Sequence, residues 1–192
     1  MVNFQQLWDS MVIDDNRKDE IISICKNILS HKERYQKVSD QTGIPYYAIA
    51  AIHSRESSLN LTRHLHNGDS LEHRTVHVPA GRPKTGEPPF TWEESAADAL
   101  QQIEIEDKAH VWSITNMLFQ LESYNGWGYR KHGIFTPYLW AATNHYSKGK
   151  FVEVFSKEKQ KFVGQFNPNL QDKQIGCAPI IRYLTDKTLG VI

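Results

Sequence analysis

The chain is poor in sulfur and has no surplus of charge. Its 192 residues hold 2 cysteines and 3 methionines, and 22 basic side chains stand against 22 acidic ones. Zero net charge removes the basic excess that nucleic-acid binding uses and the acidic excess of a solvating, disordered tail. No nucleic-acid partner is therefore expected, and attraction to any anionic polymer must come from local patches. Cys25 and Cys177 lie far apart, each among apolar neighbours, with no CxxC or Cys/His finger spacing. Free, buried thiols are the expectation. No apolar run approaches membrane-spanning length, so stable membrane insertion is not expected. Residues 1–9, MVNFQQLWD, lack a basic region followed by an apolar stretch, so no ordinary secretory signal is read. Synthesis in the cytoplasm is expected, with any outward route supplied by something else. Internal repeats and low-complexity segments are also missing.

What is present fits one soluble domain over residues 1–192, with a sizeable core or a core plus a small lobe. Hydrophobic residues make up 40% and charged residues 23%, an ordinary globular balance. Asp14 to Gln41 reads as one helix, with Ile21, Ile24, Cys25, Ile28 and Leu29 on a buried face. Thr42-Gly43-Ile44-Pro45 breaks and restarts the chain, since proline suits a first helical turn. The next helix, Pro45 to Ser57, buries Ala48, Ile49 and Ile52. It brings Glu56 near a helix C-terminus, where the helix dipole disfavours an acid.

Residues 59–90 change character. Asn67-Gly68 is a turn signal, Arg74 to Val78 alternates as a short strand, and a loop rich in proline and glycine follows. This segment is the expected small β lobe. Thr91-Trp92-Glu93-Glu94 fits a capping box that opens a helix to about Gln102. Further helices are expected over Val111–Ser123, Thr136–Tyr146 and Asp172–Lys187, while Phe151 to Phe166 looks extended or irregular. The fold class expected is α+β, mostly helical.

Cleaving a glycosidic bond takes a proton donor for the leaving oxygen and a group on the opposite face of the sugar. A carboxyl half buried on apolar walls holds its proton near neutral pH. Glu56, between an apolar helix and the expected lobe, suits the first role. The stretch Ile49-Ala50-Ala51-Ile52-His53-Ser54-Arg55-Glu56-Ser57-Ser58-Leu59-Asn60 resembles the Glu-Ser motif of soluble lytic transglycosylases and goose-type lysozymes. Thr42-Gly43-Ile44-Pro45 is similar to the start of their catalytic helix, and Tyr124-Asn125-Gly126-Trp127-Gly128 to their cleft-lining Tyr-Asn-Ala-Gly loop. These segments span about a hundred residues in matching order. The resemblance implies a lysozyme-like fold with a small β-hairpin lobe, Glu56 as catalytic acid, and peptidoglycan glycan strands as the partner.

A second resemblance, to phage-type lysozymes, rests on Asp69 and Thr75, separated by five residues as in their Asp-to-Thr interval. It implies a water held by Asp69 and Thr75 beneath the sugar ring. On one straight strand the two would stand about 20 Å apart, so the chain must reverse near Glu72. Without Asp69, Glu56 acts alone as acid and then base, and the muramic 6-hydroxyl closes on the anomeric carbon, as in lytic transglycosylases. Together the resemblances suit a monomeric muramidase without metal or cofactor. It would be an endolysin released by a holin, or an effector delivered by a secretion machine. Ser57, His66, Tyr124, Asn125, Tyr129 and Arg130 are the candidate sugar-contacting residues, since flat rings stack on sugars and Asn or Arg bond their hydroxyl and acyl groups.

Two rival readings stand beside this one. Five of the nine histidines fall between His53 and His77. His64, His66, His73 and His77 with Asp69 are a candidate zinc set for a cell-wall peptidase, although no HExxH motif is present. A lysozyme-like domain can also bind glycan without cutting it, because fold alone does not prove activity.

Overall fold

The computed structural model describes residues 2–101 and 112–186. Among them the fold is α+β and mostly helical. The centre is α4 (Tyr46–Ser57), in which Ala48 to His53 are all buried. Each fully buried isoleucine there contributes about 2 kcal/mol. α4 lies between α3 (Lys32–Thr42) and α8 (Cys177–Thr185), while α2 (Lys18–Ser30) packs on α8 and α5 (Trp92–Leu100) packs on α3. α6 (Ile114–Asn125) joins α1 (Phe4–Asp9) to α7 (Pro137–Trp140), which in turn leans on α8. No helix among the described residues is long and apolar enough to cross a membrane.

Local chemistry sets most helix ends. Gly43 closes α3 in the left-handed region at φ 75°, and the chain restarts at Pro45. The Thr91–Glu94 capping box is present, with both reciprocal hydrogen bonds formed. The single helix expected from Asp14 to Gln41 is instead two, broken at His31. Ser30 Oγ donates to the Asn27 carbonyl at 2.7 Å, and His31 Nδ1 lies 3.0 Å from the same oxygen. Side chains thus compete for an acceptor that helix propagation needs. The helix expected over Thr136–Tyr146 stops after Trp140, because residues 142–144 turn to bond the backbone of residues 12–14. The expected limits at Gln102, Val111 and Lys187 lie outside the described residues.

The β structure sits elsewhere than expected. Residues 59–90 form an irregular loop with a single isolated bridge, Arg63 to Ser70, and no strand. Val76 and Val78 are exposed and face no second strand. Pro79, Pro83, Pro88 and Pro89 also strip the following stretch of ladder donors. The two-stranded antiparallel sheet is β1 (Lys150–Ser156) with β2 (Lys161–Asn167), in register from Lys150 opposite Asn167 to Ser156 opposite Lys161.

Cys25 and Cys177 are free and buried. Burial pushes both thiols up to about 12. Gly176, which leads into α8, lies so close to α7 that an added Cβ would strike the Leu139 carbonyl and come within 2.8 Å of the Ala141 nitrogen.

Candidate active site

The end of α4 is unusual in its backbone. Ser58 and Leu59 both take positive φ, at 53° and 61°, although neither is glycine. Each such residue costs about 1 kcal/mol, and strain of this kind concentrates at functional sites. Half-buried Leu59, packed against the core, helps hold the turn. The turn ends the helix one residue after Glu56 and leaves the Glu56 side chain at the rim of the bundle.

Glu56 is open to solvent yet closely surrounded by protein. Tyr138 Oη donates to Glu56 Oε1 at 3.0 Å. Loss of hydration holds the carboxyl above the usual carboxylate range, against the opposing pull of the Tyr138 hydrogen bond and the Arg55 charge. Tyr138 is itself buried, and burial raises its phenol well above its ordinary value. Tyr124, on α6, is half-buried with its ring centroid 6.4 Å from that of Tyr138. Burial raises its phenol too, reinforced by the nearby Glu56 charge. Both tyrosines therefore keep their protons at neutral pH and act as donors.

Thr136 and Asn125 explain this convergence. Thr136 caps α7 by accepting from the Tyr138 backbone N–H, and Asn125 Nδ2 donates to the same Thr136 hydroxyl at 3.1 Å. Asn125 so ties the end of α6 to the start of α7, which brings Tyr124 beside Tyr138. The Glu-Ser segment and the Tyr-Asn segment thus meet in space. Ser57 Oγ is buried and has no hydrogen-bond partner among the described residues.

Arg55 lies on the other side. Its guanidinium bonds Asp172 at 3.0 Å with both side chains buried, and stands 5.3 Å from the Tyr138 ring centroid. Asp172 also meets Lys150 Nζ at 3.4 Å. Nothing in the sequence links Tyr138 to Glu56 or Arg55 to Asp172. The Arg55–Asp172 pairing spans more than a hundred residues and leaves no local signal.

The remaining predicted residues are placed differently. The chain does reverse between Asp69 and Thr75, but their polar groups are already engaged. Asp69 accepts from the Val76 and His77 backbone N–H groups at 2.8 and 3.0 Å and pairs with His77 Nδ1 at 2.6 Å. Desolvation would raise this carboxyl, yet the His77 and Val76 hydrogen bonds together outweigh it and hold it well below the usual range. The buried Thr75 hydroxyl donates to the Pro79 carbonyl at 2.5 Å and accepts from the Arg82 N–H at 2.9 Å. No hydrogen bond or ion pair among the described residues links either residue to Glu56.

His66, expected to touch sugar, is instead a buried anchor. Its side chain is 1% exposed and its Nε2 lies 2.8 Å from Asp98 Oδ2. Arg82 and the Lys84 N–H meet the same carboxylate, so α5 fastens the loop through polar contacts. Tyr129 is buried, and its hydroxyl accepts from the Phe151 N–H at 3.3 Å, which makes it a support for β1. Arg130 is exposed, but its guanidinium pairs with buried Glu122 through two bonds of 2.9 and 3.0 Å and sits 4.2 Å from the Trp127 ring centroid.

The histidine set does not converge on a metal. His64 Nδ1 lies 2.8 Å from Ser95 Oγ and its Nε2 2.8 Å from the His73 carbonyl, so both ring nitrogens are occupied. No group of three or more His, Cys, Asp or Glu side chains among the described residues is placed to hold a metal ion. No protein-family model matches the chain, and neither a curated protein nor a solved structure matches it.

Proposed function

We propose that the chain cleaves the MurNAc–GlcNAc backbone of peptidoglycan, with Glu56 as general acid. One observation carries this reading: Glu56, desolvated at the end of the central helix, shares its site with two protonated tyrosines, Tyr124 of the Tyr-Asn segment and Tyr138 of α7. A carboxyl whose affinity for its proton is raised by desolvation, beside an accessible surface, is suited to deliver that proton to a leaving glycosidic oxygen. The neighbouring phenols donate hydrogen bonds, and the open side-chain carbonyl of Asn125 can accept one from a sugar.

The engagement of Asp69 and Thr75 favours one course for the second half of the reaction. Their polar atoms are committed to contacts within the loop, and none of these contacts reaches Glu56. Once Glu56 has given its proton to the leaving oxygen, its carboxylate takes the proton of the muramic 6-hydroxyl. That oxygen then bonds to the anomeric carbon as the glycosidic bond breaks. The product is a 1,6-anhydro sugar and no water is consumed. Hydrolysis, with water in place of the 6-hydroxyl, is the alternative outcome.

The test is Glu56→Gln, which keeps the shape and removes the acid. Digestion of purified sacculi should stop while wall binding persists, and equal digestion by the variant removes Glu56 from the chemistry. Mass spectrometry of wild-type products decides the course. Muropeptides lighter by one water indicate the anhydro route, and reducing MurNAc ends indicate hydrolysis. Retained binding with no cleavage by the wild type would leave a glycan-binding domain.

A further inference from the structure

Among the described residues, the ring contacts that tie the hairpin built by β1 and β2 to the rest of the fold lie at its base. Directly opposed residues share a face, so Phe151 with Phe166, Glu153 with Gly164, and Phe155 with Phe162 line one side. At the base, His132 stacks on Phe166 at 3.8 Å, and Tyr129 meets Phe151 edge-on at 5.1 Å. Four residues further out, about 13 Å along the strand, Phe155 and Phe162 pair at 5.5 Å with 51% and 65% of their surfaces exposed. A lone two-stranded hairpin is marginal in water; the cross-strand ring pair supports it, yet leaves more than half of each phenylalanine open to solvent.

We propose that this face is a platform for an acidic, peptide-bearing glycan strand, which it holds outside the cleavage site. The proposal rests on the peptidoglycan reading above and names a second contact for the same substrate. Three properties of the face select the occupant. Residues 147–167 carry five lysines against two glutamates, a local basic excess in a chain whose charges cancel overall. Lys157, Lys159 and Lys161 surround the tip, where carboxylates of stem peptides would meet them. The two aromatic pairs offer flat apolar faces at a spacing that a few linked sugar rings cover. Between the pairs stands exposed Glu153, opposite Gly164, which presents no side chain of its own. A carboxylate in that position accepts hydrogen bonds from sugar hydroxyls, whereas an anionic lipid surface would repel it. The turn Lys157-Glu158-Lys159-Gln160 is likewise too charged to enter a bilayer first.

The platform is joined to the candidate active site. Lys150, the first residue of β1, bonds Asp172, and Asp172 bonds Arg55, the residue before Glu56. A strand lying along the aromatic face would therefore leave the hairpin close to the cleavage site.

The experiment measures binding in the Glu56→Gln background, so that cleavage cannot alter the result, with cosedimentation on purified sacculi. Phe155→Ala with Phe162→Ala should weaken binding about tenfold, as expected for losing two stacking faces. The Leu pair at the same positions, which keeps apolar area without flat rings, should also bind weakly, and the Tyr pair should bind as the parent does. Unchanged melting temperatures establish that each variant is folded. Parental binding by the Ala or Leu pair overturns the proposal. So does a loss confined to phosphatidylglycerol vesicles, which would make the hairpin a membrane contact. Cleavage by the wild-type chain is read separately. A protein that cuts sacculi but is indifferent to the Phe changes refutes the platform alone, and one that binds through the hairpin without cutting refutes the Glu56 reading alone.

Discussion

Tyr138 Oη donates to Glu56 Oε1 at 3.0 Å, so the buried phenol stabilises the ionised form of the carboxyl that, in the proposed role, must be protonated to work. Replacing Tyr138 with Phe removes that donor and leaves the desolvating ring. The Glu56 pKa should rise further, and the alkaline limb of the activity profile should move up by about one pH unit, the scale of a hydrogen bond to a charged group. Activity falls as pH rises through this pKa, because the proton is then absent. A limb that stays in place or moves down shows that the tyrosine does not tune the acid.

His53 provides a stability prediction. It is fully buried beneath Trp92, with ring centroids 4.6 Å apart, and its Nδ1 lies 2.9 Å from Tyr35 Oη. Burial lowers its pKa from 6.5 to about 4. Between those values the unfolded chain binds a proton that the folded chain refuses. Its contribution is therefore complete above about pH 6.5 and is lost by about 3 kcal/mol as pH falls to about 4. Urea midpoints measured across this window should decline more steeply for the wild type than for His53→Gln. Parallel declines would show that His53 is not the group responsible, and the comparison separates it from Glu56, whose raised pKa acts in the opposite direction.

Gly176→Ala should destabilise the fold by roughly 3 kcal/mol, because the new methyl meets the α7 backbone, which cannot rotate aside as a side chain would. Denaturant unfolding measures the loss. A change under 1 kcal/mol, on the ordinary scale of an exposed site, would mean that the two segments are more loosely packed.

Ser58→Gly should act in the other direction. At φ 53° a side chain is strained and glycine is not. A gain of about 1 kcal/mol is expected, read as a higher melting temperature. An unchanged or lower melting temperature shows that the turn carries no such strain.

The sequence was most legible where local chemistry decides the outcome. The Thr91 capping box, the Gly43–Pro45 interruption and the burial of Ala48, Ile49 and Ile52 depend on neighbours a few residues apart, and each is found as expected. The meeting of Glu56 with Tyr124 was expected only from the order of two short motifs. The Tyr138 hydrogen bond that completes the site spans 82 residues and had no local mark. The hairpin was missed for a related reason. Phe151 to Phe166 has strand-forming residues but no Asn-Gly or Asp-Gly at its turn, and Lys157 to Gln160 does not announce a reversal. Conversely, Arg74 to Val78 alternates like a strand but has no second strand to pair with. His66 shows the same limit for function, because its burial follows from Asp98 on a helix about thirty residues later.

The two cysteines have a consequence for where such a fold can persist. Neither thiol is joined to another, both are shielded from water, and both hold their protons far above neutral pH. Thiolate is the form that attacks oxidants and disulfides, so these sulfurs are chemically quiet. The architecture has no covalent staple for a reductant to cut and offers little for an oxidant to modify. Passage between a reducing interior and an oxidising exterior should leave it unaltered.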